Sequence, residues 1–111
     1  KNISIRYVIK KYGNRINHVH TKDIRGDVIA RLDRNTASFL DAVIAGAFTV
    51  PRDGTLDFEA IVKRLASYGY EGWFVVEAEQ DPVANPPLAM AKTGHQELLR
   101  VMQAAGYEVA S

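Results

Sequence analysis

There is no cysteine among the 111 residues. That absence excludes a disulfide framework and thiolate zinc sites, and it fits a reducing compartment such as the cytoplasm. Neither sign of charge is in excess. The 14 Lys and Arg stand against 13 Asp and Glu, for a formal net charge of +1. Bulk electrostatics therefore gives no reason to expect a nucleic-acid partner or an anionic membrane surface. No apolar run approaches the ~20 residues that span a bilayer. The opening stretch KNISIRYVIKKYG mixes its charges and lacks a small-residue cleavage site, so it does not read as a signal peptide. A Gly-rich phosphate loop, a nucleophile elbow and a paired-histidine helix motif are also missing. What is present is enough chain for one domain with one core. It begins with lysine, not methionine, which points to a piece of something longer.

Apolar spacing predicts a helix over 3–12, ended by Gly13. Residues 15–21 alternate as a strand does. Residues 24–32 read as a loop, and Asp33 or Asn35 is placed to start a helix that Gly46 stops. AFTV, 47–50, reads as a short buried strand. PRDG, 51–54, reads as a turn in which Pro51 presets one backbone angle and Gly54 permits a positive one. Asp57 is suited to cap a helix over 58–68. WFVVEAE, 73–79, reads as a third strand with Trp73 in the core, and a proline-rich loop leads to a last helix over 87–105. Such alternation predicts an α/β fold with parallel strands joined by helical crossovers. Three parallel strands leave two open edges and a bare face, so they call for the rest of a barrel or for a second copy of the chain.

The ionisable residues cluster at strand ends. On a strand, residues two apart share a face. His18, His20 and Lys22 therefore point one way, as do Val75, Glu77 and Glu79. Imidazole and carboxylate together suit divalent manganese, cobalt, iron or zinc. Each residue also has an ordinary structural reading. A strand-end histidine is often only hydrogen bonded, and a glutamate after a buried strand is often only solvated. Lys22 and Asp23 could be a simple ion pair, Asp53 a turn-former and Arg52 a solvated loop residue. His95 reads as a surface or packing residue of the last helix.

Three stretches go beyond generic pattern: YGNRINHVHTKDIR, FLDAVIAGAFTVPRDGTLDF and GYEGWFVVEAEQDPVANPPLAMAKTG. Together they resemble the C-terminal part of the inosose dehydratases, the 2-keto-myo-inositol dehydratases of inositol catabolism. The likeness runs from about Tyr12 to Gly106, and VEAEQDP close behind GW is its most specific part. HxKD is weaker, being shared across the wider group of xylose-isomerase-like barrel enzymes.

The resemblance implies an eight-stranded TIM barrel of which this chain is the C-terminal portion, about three βα units carrying strands six to eight. It implies a divalent metal, manganese or cobalt, held by four residues, two of them His20 and Glu77. The other two would lie on strands outside this chain. His18, Lys22 and Glu79, on the same inward faces, are the candidates for proton transfer or substrate contact, with Arg25 and Asp53 as further substrate contacts; the resemblance adds glutathione as a further cofactor. The substrate would be a small cyclic polyol ketone, with neither nucleic acid nor membrane as partner. Two other readings stand beside it: a sugar isomerase or epimerase on the same metal site, and an inactive fragment that forms a homo-oligomer in place of its missing barrel half. The chain departs from the family at PRDG, where the usual pattern is Pro-Gly-Asp-Gly and Arg52 replaces a glycine. If that glycine needs a positive backbone angle, arginine is disfavoured there.

Overall fold

A computed structural model describes residues 4–110 of the chain. Its elements run α1 (Ile5–Tyr12), β1 (Val19–Thr21), β2 (Asp23–Ile24), α2 (Gly26–Arg31), α3 (Phe39–Ile44), β3 (Phe48–Thr49), α4 (Phe58–Ser67), β4 (Phe74–Val76) and α5 (Pro87–Ala104). Residue 3, the expected start of the first helix, lies outside the described residues. Ser4 caps α1 by accepting from Tyr7 N. Gly13 is the C-cap, as expected, but not through a positive angle. Its φ is −52°, and the chain continues into a 3-10 turn over Gly13–Arg15. What Gly13 supplies is space, since a Cβ there would meet the Tyr68 ring 2.7 Å away.

The expected three parallel strands do not form. β1 pairs parallel with β4, with His20 opposite Val75 and Thr21 opposite Val76. β3 pairs antiparallel with β2, with Thr49 opposite Asp23. Because β1 and β4 are direct neighbours, no strand lies between them. The placement of the chain as three units on strands six to eight is therefore corrected to one crossover between adjacent strands, with a hairpin inserted. The reason is length. A parallel return needs a crossover of roughly a dozen residues, usually with a substantial helix. α3 has 6 residues and rises only about 9 Å. α4 has 10 residues, rises about 15 Å and makes the real return.

The 22–57 excursion holds most of the other corrections. Residues 24–32, read as a loop and an approach to a helix, hold the second residue of β2 and all of α2. Residues 33–35 do not start a helix; Asn35 N donates to Asp33 Oδ1 in a local turn. Ser38 starts α3 instead, its hydroxyl accepting from Asp41 N while the Asp41 carboxylate accepts from Ser38 N. At 51–54 Asp53 N donates to Val50 O, and the positive φ, 86°, falls on Arg52 and not on Gly54. This is the third position of a type II turn with proline at the second. Gly54 is needed for close approach, since a Cβ there would sit 2.5 Å from the Ile24 carbonyl oxygen.

Side chains alternate across the β1–β4 pair. Val19 and Phe74 pack on a cluster of Ile9, Leu65 and Tyr70. Phe74 and Val76 pack on a second cluster of Val62, Leu98 and Val101, which joins α4 to α5. Val62 and Val101 are fully buried, each contributing about 1.5 kcal/mol or more. Capping agrees with the sequence here: Asp57 accepts from Ala60 N, Pro87 opens α5, and Gly106 leaves it at φ 95°. Trp73 is not core. It is 74% exposed and lines an open groove beside β4 with Leu99 and Met102. By alternation His18, His20, Val75 and Glu77 fall on the strand face opposite Val19, Phe74 and Val76.

Candidate metal centre

The parallel ladder sets the geometry of this face. Thr21 is buried, its hydroxyl donates to Val75 O over 2.8 Å, and Glu77 N donates to Thr21 O over 3.0 Å. These bonds extend the pairing one residue past β4 and fix where Glu77 leaves the strand. His20 Nδ1 then lies 3.6 Å from Glu77 Oε2. Lys22 Nζ lies 3.4 Å from Glu77 Oε1 and 2.6 Å from Glu79 Oε1. The His18 ring meets His20 edge-on with centroids 5.1 Å apart. Five of the seven residues singled out from sequence thus come together: His18, His20, Lys22, Glu77 and Glu79.

The contact between Lys22 and Glu79 shifts both partners. The Glu79 carboxylate beside Lys22 raises the ammonium's pKa, with burial working against it and Glu77 adding to the rise. Lys22 in turn holds the Glu79 carboxyl below its ordinary value, again against burial. Lys22 therefore stands as a cation between two carboxylates, its Nζ 5.5 Å from the centre of the Phe48 ring.

Arg25 and Asp53 form a second cluster. Arg25 Nη2 donates to Asp53 Oδ2 over 2.6 Å and to Asn85 Oδ1 over 3.1 Å, while Nη1 donates to Gly46 O over 3.0 Å. Thr49 Oγ1 donates to the same Asp53 oxygen over 2.6 Å. Burial pushes the Asp53 carboxyl up, but the hydrogen bonds from Thr49 and Arg25 outweigh it and hold the pKa below its ordinary value. Arg25 and Asp53 thus turn their charges on each other. Asp23 is not an ion-pair partner of Lys22. It is fully buried, and its Oδ1 accepts from Ile24 N and Leu56 N.

Sequence reasoning missed Thr49, Gln80 and Asn85. Thr49 sits inside the apolar run AFTV, where one hydroxyl reads as noise. Gln80 and Asn85 lie in the QDPVANPP loop, directly after the glutamates, and that position was the available signal.

Among the described residues no three His, Asp or Glu side chains gather closely enough to hold a metal ion. His20 and Glu77 fit as part of a larger set. Two ligands bound to one ion at about 2.1 Å sit roughly 3.0–3.4 Å from each other. The observed 3.6 Å is close to that separation and needs no more than a small side-chain adjustment.

Residues 3–105 match the family model described as a xylose isomerase-like TIM barrel. The chain belongs to the xylose isomerase-like TIM barrel family. In TIM barrels functional groups sit at the C-terminal ends of the strands. His20 and Lys22 at the end of β1, and Glu77 just past β4, occupy such ends. Among curated relatives of this barrel family, the chain is 52% identical over 91% of its length to the rhizopine catabolism protein MocC of Rhizobium meliloti. It is 53% identical over 80% of its length to an inosose dehydratase of Clostridium botulinum, and 49% identical over 85% to one of Histophilus somni. It spans 31%, 30% and 32% of those three relatives, about a third of each.

Proposed function

We propose that this chain is the C-terminal part of a barrel enzyme that dehydrates 2-keto-myo-inositol to a trihydroxycyclohexane-dione. The observation that carries the reading is the meeting of His20 and Glu77 from adjacent parallel strands, with Lys22 bridging Glu77 and Glu79. The name of the Clostridium relative supports the substrate. His20 and Glu77 would hold a divalent manganese or cobalt ion, together with ligands from the rest of the barrel. Such an ion supplies Lewis-acid polarisation of the ketone.

The remaining groups handle protons and the leaving hydroxyl. The reaction breaks the C–H bond beside the carbonyl and the C–O bond on the next carbon. The proton passes to a base, the hydroxyl departs with a proton as water, and the resulting enol tautomerises to the dione. Lys22 stands between Glu77 and Glu79 as a fixed ammonium, so it is placed to hydrogen-bond the departing hydroxyl while the base returns its proton to complete the water. Glu79, beside Lys22, and His18, against the His20 ring, are the candidates for taking the carbon-bound proton. Arg25 and Asp53, expected to touch substrate, are matched to each other and support the loops around the site.

The test is product analysis on the whole protein with 2-keto-myo-inositol and added manganese or cobalt. The expected product is lighter than the substrate by one water. His20→Ala and Glu77→Gln should each lower kcat/KM by about a hundredfold or more and weaken metal binding in calorimetry. The breadth of the barrel family favours one rival, a sugar isomerase or epimerase using the same metal pair. A product with the substrate's mass would decide for it.

A further inference from the structure

We propose that the Thr49 hydroxyl is a positioning residue for the catalytic strand ends, acting through the β2–β3 hairpin. Thr49 is fully buried, yet its hydroxyl is the node of three polar links. It donates to Asp53 Oδ2 over 2.6 Å and accepts from Gln80 Nε2 over 3.3 Å and from Arg25 Nη2 over 3.4 Å. Each link leads to a different segment. Asp53 is in the turn after β3, Arg25 is at the start of α2, and Gln80 directly follows Glu79 on the chain leaving β4. Gln80 Nε2 also donates to the Phe48 carbonyl over 3.2 Å, and Asn85 further along accepts from Arg25.

The consequence lies in what the hairpin joins. β2 continues from β1 just past Lys22, and β3 is pinned to the chain just past Glu79. The hairpin therefore spans the two strand ends on the C-terminal side of the β1–β4 pair. On that side the ladder's last bond is that of Glu77 N to Thr21 O. Beyond it, the Lys22–Glu79 contact at 2.6 Å is held from the β4 side by Gln80 and from the β1 side by Phe48. Thr49 accordingly sets the reach between Lys22 and the carboxylates without touching substrate. Valine fills nearly the same volume with similar strand preference, so what the threonine adds at this position is its hydroxyl and the three links it makes. The hydroxyl serves the brace.

The inference rests on the site described under the proposed function, and the experiment separates the two. Thr49→Val removes the hydroxyl at constant volume, Thr49→Ser keeps it, and Gln80→Met cuts one strut at a less buried position. All are made in the whole protein. Hydrogen–deuterium exchange of the peptide from Val75 to Pro82 reads the brace, and steady-state kinetics on 2-keto-myo-inositol reads the site. Thr49→Val and Gln80→Met are expected to speed exchange in that peptide about tenfold and to lower kcat about tenfold to a hundredfold, with KM changed less than about threefold. Thr49→Ser should stay near wild type in both. Unchanged exchange in Thr49→Val and Gln80→Met overturns the proposal. So does a Thr49→Ser variant as impaired as Thr49→Val, because the methyl would then matter and not the hydroxyl. Faster exchange in Thr49→Val and Gln80→Met, with no turnover of this substrate even by wild type, upholds the brace and sinks only the assigned reaction.

Discussion

Arg52 occupies a backbone position that favours glycine. Its φ of 86° is the third position of the turn that Pro51 opens, and a left-handed L-residue costs about 1–2 kcal/mol. Nothing strong offsets that strain. The Arg52 side chain is exposed, and its one charge contact of note is a long-range pull on Glu97 of α5, whose carboxyl is lowered mainly by Arg100. An exposed attraction of that kind contributes a few tenths of a kcal/mol. Glycine would relieve the strain but would add about 0.5–1 kcal/mol of unfolded-state entropy. The balance favours glycine, so Arg52→Gly should raise unfolding stability by about 0.5–1 kcal/mol. Chemical denaturation measures it, with Arg52→Asn expected to fall between wild type and the glycine variant, because asparagine tolerates the left-handed region better than arginine does. A destabilised Arg52→Gly would mean that the arginine holds a contact worth more than its strain. The sequence contained this conflict, since a residue without glycine's freedom stood in a glycine place. It did not contain the assignment of the positive angle to residue 52 over residue 54, because both belong to the same turn.

Among the elements, α5 shows packing overruling propensity. Gly94 lies mid-helix, where alanine would ordinarily gain about 1 kcal/mol. Here a Cβ would meet Val76 Cγ1 at 2.7 Å and Val50 Cβ at 3.0 Å. Gly94 is what lets α5 lie directly on β4 and on the residue after β3. Overpacking of this sort costs about 1–3 kcal/mol. Gly94→Ala should therefore destabilise by about 1–2 kcal/mol net, read by thermal or denaturant unfolding; a gain would show that α5 can shift freely off Val76. Elements whose signals are local were legible in the same way. α4 follows from the spacing of Phe58, Val62 and Leu65 behind the Asp57 cap, and α5 from Pro87 and Gly106. The shared face of His18, His20 and Lys22 needed only the strand's period of two. The β2–β3 hairpin was not legible. Phe48 and Thr49 pair with residues more than twenty positions away, and a two-residue strand carries too little pattern to name its partner. The helices of that excursion were misplaced because Asp33 and Ser38 are both good caps, and only the Ser38–Asp41 reciprocal pair closes a box.

At the scale of the whole molecule, the β1–β4 sheet has two strands and, among the described residues, two unpaired edges. A groove of about 390 Å³ along β1 is lined by Ile5, Val8, Ile16, Leu56 and Ile61. A larger one of about 980 Å³ along β4 is lined by Trp73, Leu99, Met102 and Val109 among others. Unpaired backbone beside apolar surface is a template for further strands. The relatives are about three times as long as this chain, so a whole barrel has length enough to cover both grooves. Expressed alone, the 111-residue chain has only its own copies to offer. The expected result is self-association that grows with concentration, read as a mass of two chains or more by light scattering behind size exclusion. The same preparation should bind cobalt far more weakly than the whole protein, because one imidazole and one carboxylate leave most of the coordination to water. Both outcomes follow from one reading, that further barrel strands pair these edges and bring the other metal ligands. A monodisperse monomer of the isolated chain, unfolding cooperatively and binding the metal as tightly as the whole protein, would show that these edges and the His20–Glu77 pair are complete without any partner.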